Sequence, residues 1–386
     1  MKITRNCCLL YLLFCVGCQN IEKFSQENKY IAKPKERKII AQLQDFGGLG
    51  QVQQSKYVKM AITNDWQLMM KRILDIDPSL ASQPWGNFIK GKKPFVPDRI
   101  EQEYPLPYAC GLQRINIVKM LIDAGADVNL YQKGQPIGIA AETGNLKLVK
   151  ALFNSGARLK IEDGWSALLC AGSAEVAEFI LDKGESPNVL GRDWISALHE
   201  ARTDDIARVL VGCGANINLR CEGDTPLHRA VLRHNEPLVS YFISLGLDVN
   251  TQNDFGNIAL FGLYVQSRYF SANRYAFGSV YNIHQELLEK TDLGIKNRKG
   301  QTALHQAVKL LTDYSFVQEL LNKGVEVDVQ DNKGQTPAHY AASCGNLNNL
   351  KKLIDAGADL TIKDNEGKTP LDIVRKKYPF MLCLTQ

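Results

Sequence analysis

Thr225-Pro226-Leu227-His228-Arg229-Ala230 and Thr336-Pro337-Ala338-His339-Tyr340-Ala341-Ala342 are one short phrase written twice. Weaker copies begin at Tyr104, Gln135, Ser166, Ser196, Ile258, Thr302 and Thr369. The second positions are Pro105, Pro136, Ala167, Ala197, Pro226, Ala259, Ala303, Pro337 and Pro370, which gives steps of 31, 31, 30, 29, 33, 44, 34 and 33 residues. Threonine at the start can cap a helix, and proline suits the first turn, where its missing N–H costs nothing. Glycine-centred stops follow further on: Gly125-Ala126-Asp127-Val128-Asn129, Gly156-Ala157-Arg158, Gly214-Ala215-Asn216-Ile217-Asn218, Gly246-Leu247-Asp248-Val249-Asn250 and Gly357-Ala358-Asp359. Glycine tolerates the left-handed backbone that ends a helix. Ahead of the stops, Ile117-Val118 with Leu121-Ile122, and Leu350 with Leu353-Ile354, are spaced as one buried helical stripe. Such a unit cannot bury its own apolar face, so the repeats are expected to stack into one continuous core.

A Thr-Pro-Leu-His-x-Ala signature near a 33-residue period resembles the ankyrin repeat, a β-turn plus two antiparallel helices. The resemblance covers residues 104–378. It implies an all-α solenoid of stacked helix–turn–helix units with β-turn fingers, about nine repeats, preceded by an N-terminal helical cap. Of the six histidines, His199, His228, His305 and His339 share the motif position. In the ankyrin family that histidine bonds to backbone groups and ties adjacent turns together.

The N-terminus is a different kind of segment. Met1-Lys2-Ile3-Thr4-Arg5 is basic, Leu9 to Val16 is apolar and too short to span a bilayer, and Cys15-Val16-Gly17-Cys18 follows. Small residues before a cysteine resemble a bacterial lipoprotein signal, with residues 1–17 removed and Cys18 acylated; Cys15 departs from the usual leucine. An ordinary secretory signal or an uncleaved anchor is the other reading. Acyl chains would hold the chain on a membrane without a transmembrane helix. Gln19, in place of the aspartate that favours inner-membrane retention in enteric bacteria, tilts the expectation to the outer membrane, facing periplasm or surface. Residues 18–54 read as a polar tether. Residues 55–103 read as a motif-free helical cap over 57–76 and a loop whose prolines, at 84, 94, 97, 105 and 107, run on to 107. Residues 379–386 form the C-terminal tail. The net charge of +5 falls to +3 without the signal, too mild to argue for nucleic acid.

Catalytic chemistry is hard to find. No CxxC pair, Gly-x-Ser-x-Gly elbow or His-Glu-x-x-His is present, and Gly47-Gly48-Leu49-Gly50 lacks the Lys-Ser/Thr of a phosphate loop. The expectation is no enzyme, no cofactor and no metal. Cys110, Cys170 and Cys344 read as packing thiols, and a Cys213–Cys221 bridge is open in an oxidising compartment.

Ankyrin stacks grip other proteins with their turn tips and the exposed side of their first helices, the concave face. Candidate contacts there are Tyr131, Trp165, Arg192, Trp194 and Phe255 at the turns, and Tyr108, Arg229 and Tyr340 before the motif alanines. Tyr, Trp and Arg most often anchor interfaces; the competing reading of Trp165 and Trp194 is internal bracing. The 44-residue step carries an insert near 264–283, with Tyr264, Arg268, Tyr269, Phe270, Arg274, Tyr275, Phe277 and Tyr281. It reads either as a binding loop or as a longer helix. The expected function is a non-catalytic, envelope-anchored scaffold for another protein, acting as a monomer, with immunity-type or protective binding as sub-hypotheses. The alternative is an exported host-directed effector.

Overall fold

The structure, a computed structural model, describes residues 34–41, 43–82, 104–130, 135–160, 165–191, 194–221, 223–265, 277–310 and 315–378. Helices account for all its regular elements among these residues, apart from isolated β-bridges at the finger turns. The chain divides into two compact units.

The first unit comprises Met1–Ile161 and Cys170–Ile180. It holds α1 (Pro34–Ile40), α2 (Gln51–Asn64), α3 (Gln67–Ile76), α4 (Pro105–Gly111), α5 (Ile115–Asp123), α6 (Pro136–Glu142), α7 (Leu146–Asn154) and all but the end of α8 (Ala174–Asp182). The α2–α3 pair is the motif-free helical cap expected from the sequence. The tether expected over 18–54 is corrected from Pro34 onward. There α1 and a 3₁₀ turn at Leu43–Gly48 fold against the cap and bury Ile40, Leu43 and Phe46. Trp66 offers α3 no side-chain cap, and the carboxylate of Glu36, 2% exposed, accepts the Met69 N–H at 3.0 Å. An anion at a helix start satisfies an orphan donor and suits the dipole. Two prolines assigned to the loop belong to a helix instead. Pro105 and Pro107 lie in the first turn of α4, where N–H groups have no helical acceptor, while residues 83–103 lie outside the described set.

The second unit comprises Glu162–Leu169 and Leu181–Gln386. It contains α9 (Ala197–Glu200), α10 (Asp204–Gly212), α11 (Pro226–Leu232), α12 (Glu236–Ser244), α13 (Phe261–Val265), α14 (Phe277–Leu288), α15 (Ala303–Ala307), α16 (Phe316–Asn322), α17 (Pro337–Cys344), α18 (Leu347–Asp355) and α19 (Pro370–Lys377). The short steps of 30 and 29 residues are lost from first helices: the Ser166 copy has only a 3₁₀ turn, Ala167–Cys170, and the Ser196 copy only α9. Of the 44-residue step, three residues lengthen α14 to twelve, against nine in α10, α12 and α18; residues 266–276 lie outside the described set. Tyr264, assigned to the insert by sequence, is instead buried in α13.

The motif threonine and histidine form a reciprocal cap. Thr225, Thr302 and Thr336 each donate their backbone N–H to Nδ1 of the histidine three residues on, at 3.1–3.2 Å. Nδ1 is therefore an acceptor, and Nε2 carries the proton. It donates to a carbonyl of the following finger: His199 to Asp224, His228 to Asn257, His305 to Gln335 and His339 to Lys368, at 3.0–3.1 Å. The four rings thus tie successive turns together. Burial lowers the basicity of His199 and His228, and brings His305 down to about 4. The glycines expected to stop helices, 125, 156, 214, 246 and 357, all adopt φ between +82° and +93°.

Candidate partner-binding surface

Four fingers of the second unit, opening at Asn253, Asn297, Asp331 and Asp364, are five-residue hairpins closed by backbone. In Asp331-Asn332-Lys333-Gly334-Gln335 the Asp331 N–H donates to Gln335 O at 3.0 Å, and Asp331 Oδ1 accepts the N–H groups of Lys333 and Gln335. Asn253, Asn297 and Asp364 do the same work in their fingers. Gly223, Gly256, Gly300, Gly334 and Gly367 stand two residues before their motifs, all with φ from +70° to +78°. Neighbouring fingers are joined: Arg298 N–H donates to Phe255 O at 3.1 Å, Asn332 N–H to Lys299 O at 3.0 Å, and Asn365 N–H to Lys333 O at 2.9 Å. The result is a platform with a fixed backbone.

One finger breaks the pattern. In Gly191-Arg192-Asp193-Trp194-Ile195 the hairpin closes normally, with Gly191 N–H donating to Ile195 O at 2.8 Å. A glycine, however, stands where those four place Asp or Asn, and Trp194 occupies the left-handed position with φ +58°. A bulky side chain there costs about 1–2 kcal/mol. Its indole is 71% exposed, so packing does not offset that cost. Phe255, at the tip of its own finger, is 64% exposed, with its backbone held by Asn253. Internal bracing is excluded for Trp194; Trp165 is half-buried.

Three expected contacts are corrected. Tyr108 is 5% exposed, its hydroxyl 3.1 Å from Thr63 Oγ1 beneath the cap pair, so it anchors the core and not a partner. Arg229 Nε lies 3.5 Å from Asp224 Oδ2, an ion pair within its own turn. The Tyr340 hydroxyl donates to Asp331 at 2.8 Å and accepts from Gln301; burial and that carboxylate push it up to about 12. Both side chains are committed to holding fingers. Cys18, Tyr131, Arg192, Arg268, Tyr269, Phe270, Arg274 and Tyr275 lie outside the described residues; Phe277 opens α14, and its side chain is not described.

The sequence gives little warning of one polar cluster. Tyr264 Oη is 2.9 Å from His284 Nε2, whose Nδ1 lies 2.9 Å from Glu319 Oε2, close but off the line of a good hydrogen bond. Gln285 also donates to Glu319, at 2.6 Å, and the imidazole stacks on Phe316 with centroids 4.1 Å apart. A hydroxyl–imidazole–carboxylate chain suggests nucleophilic catalysis, but Tyr264 and His284 are 4% and 0% exposed, and burial raises the phenol further from ionisation. No substrate reaches a hydroxyl so enclosed. The cluster pins α13, α14 and α16 across the insert. Burial brings His284 down to about 4 despite the carboxylate.

No disulfide joins Cys213 to Cys221, so the bridge left open by the sequence is not formed; Cys213 is exposed at the end of α10, and Cys221 is buried in its finger. Among the described residues no group of His, Cys, Asp and Glu is placed to hold a metal, and no helix is long and apolar enough to cross a membrane.

Comparison with known proteins agrees with this architecture. A family model described as ankyrin repeats matches residues 86–163, 106–191, 165–253 and 273–373. An ankyrin repeat protein of Fowlpox virus is 30% identical over 173 residues, 42% of this chain and 92% of the viral one. Protein lin-12 of Caenorhabditis elegans is 29% identical over 190 residues, and VAPYRIN-LIKE of Medicago truncatula 25% over 252. These cover 45% and 62% of this chain, but only 12% and 48% of the relatives' own lengths.

Proposed function

Because the chain belongs to the ankyrin-repeat family, we propose that it is a non-catalytic scaffold that binds another protein through the finger tips of its second unit. The observation that carries this reading is Trp194: it is held in a costly backbone conformation, repays nothing to the fold, and is offered to solvent. Strain that survives without a packing return points to function. Phe255 adds a second aromatic on an immobile backbone, and rigid aromatics lose little entropy on contact. The aromatic and arginine content of residues 266–276 supports a further contact from the insert.

The proposal extends to location. The basic start, the short apolar run and the Gly17-Cys18 junction support a bacterial envelope protein acylated at Cys18, on the outer membrane by preference, serving there as an immunity-type or protective binder. Metabolic labelling with a palmitate analogue should mark the wild-type chain and not Cys18→Ala; label retained by the variant would remove the anchor from the proposal.

Partner binding is tested by affinity capture from envelope extracts with the chain from Gln19 as bait. The double variant Trp194→Ala/Phe255→Ala is expected to lower recovery of the captured protein at least ~10-fold, since truncating a central aromatic costs about 2 kcal/mol or more. Undiminished recovery would place recognition elsewhere.

A further inference from the structure

In several intervals between repeats, a side chain four residues after the helix stop reaches into the next loop. Asn129 Nδ2 donates to Gly156 O at 3.0 Å while its Oδ1 accepts the Arg158 N–H at 2.8 Å. Asn188 does the same with Gly214 O, at 3.1 Å, and the Asn216 N–H, at 2.7 Å. Asn250 Oδ1 accepts the Asp292 N–H, and Asp328 accepts that of Asp359. In the first two a carboxamide, donor and acceptor together, satisfies one carbonyl and one N–H across the gap.

After α14 the equivalent residue is Gly294. Its turn is the same: Gly294 N–H donates to Asp292 Oδ1 at 3.0 Å, as Asn129 does to Asp127 and Asn250 to Asp248. With no side chain at 294, Gly324 O and the Glu326 N–H receive no bridge. A cleft of about 520 Å³ opens beside Gly294, Gly324 and Glu326, over an apolar floor that includes Leu293 and Val329. Its wall carries Thr291, standing where Ala126, Ala157 and Ala215 stand in other repeats. The Thr291 hydroxyl is enclosed without a hydrogen-bond partner. A buried polar group in that state is costly unless something meets it.

We propose that this cleft binds a primary carboxamide borne on a peptide, the side chain of a partner's glutamine or asparagine, in the position that Asn129 and Asn188 fill in their own intervals. The amide NH₂ donates to Gly324 O, and the amide carbonyl accepts from the Glu326 N–H. A carboxylate fits less well: it offers no donor to Gly324 O, and the lining's three carboxylates, Glu289, Asp292 and Glu326, outnumber Lys296 and Lys323, the latter paired with Glu289 at 2.6 Å. The volume suits a few residues of extended chain. These residues lie outside the finger surface proposed above, so either proposal can fail alone.

The test is binding of three labelled peptides, acetyl-Ser-Leu-Xaa-Leu-Ser-amide with glutamine, glutamate or leucine at Xaa, to the full chain and to Gly294→Asn. Near a Cβ at 294 only Asp292 Oδ1 lies close, at 3.3 Å, so the asparagine fits. The glutamine peptide is expected to bind the wild type about tenfold more tightly than the other two, the worth of two modest hydrogen bonds. Gly294→Asn should raise the denaturation midpoint by closing the bridge, and abolish that preference. Equal binding of the three peptides, no binding up to millimolar concentration, or a glutamine preference that survives Gly294→Asn would overturn the proposal.

Discussion

Between pH 6.5 and 4.5 the second unit is expected to lose about 4 kcal/mol of stability, through two imidazoles that folding keeps neutral. His284 and His305 are both held at about 4 by burial, His284 in the three-helix cluster and His305 in its reciprocal cap. An unfolded chain protonates these rings near pH 6.5, so below that pH the unfolded state binds more protons and stability falls as pH falls. The contribution is whole above pH 6.5 and is lost progressively toward 4. Within the window each group approaches a slope of about 1.4 kcal/mol per pH unit, hence roughly 2 kcal/mol lost by pH 4.5. His199 and His228 are shifted in the same direction and add to it. Asp331 and Asp364 are held below the usual carboxylate range, so their loss begins lower still. Urea denaturation at half-unit pH intervals measures the slope. A stability unchanged from pH 7 to 4.5 would show that the imidazoles are not buried as described.

His284→Leu is expected to remove about 3 kcal/mol at pH 7. The leucine fills the space over Phe316, but Glu319 loses its imidazole neighbour and the enclosed Tyr264 hydroxyl loses its imidazole acceptor. Removing one member of a buried polar cluster leaves its neighbours unpaired, which costs more than replacing the members together with apolar groups. The double variant His284→Leu/Glu319→Leu should therefore recover much of the loss, a non-additivity expected of residues in contact. A single-variant loss under about 1 kcal/mol, or strict additivity, would mean that the cluster does not hold α13, α14 and α16 together.

The solenoid could be read from the chain because its determinants are local and repeated. Thr225, Pro226, His228 and the stop at Gly246 act within one repeat, and they recur at a spacing that stacking requires. Features that depend on distant partners were not legible. Glu36 looks like one charge in a polar leader until Met69 comes within 3.0 Å of it. Tyr108, Arg229 and Tyr340 are residue types that anchor interfaces, and only their contacts with Thr63, Asp224 and Asp331 withdraw them from that role. The cluster at His284 joins positions 20 and 35 residues away, beyond any helical period. The anomaly at Trp194 is visible in the sequence: aligned on the motif, it is a tryptophan in a column where six of the nine copies carry glycine.

That column supplies the most direct test of the central claim, the unfolding free energy and the partner recovery of Trp194→Gly measured side by side. If Trp194 serves recognition at the fold's expense, the glycine variant gains about 1 kcal/mol in stability and loses the captured partner. A variant that is less stable than wild type, or one that keeps its partner in full, would contradict the account.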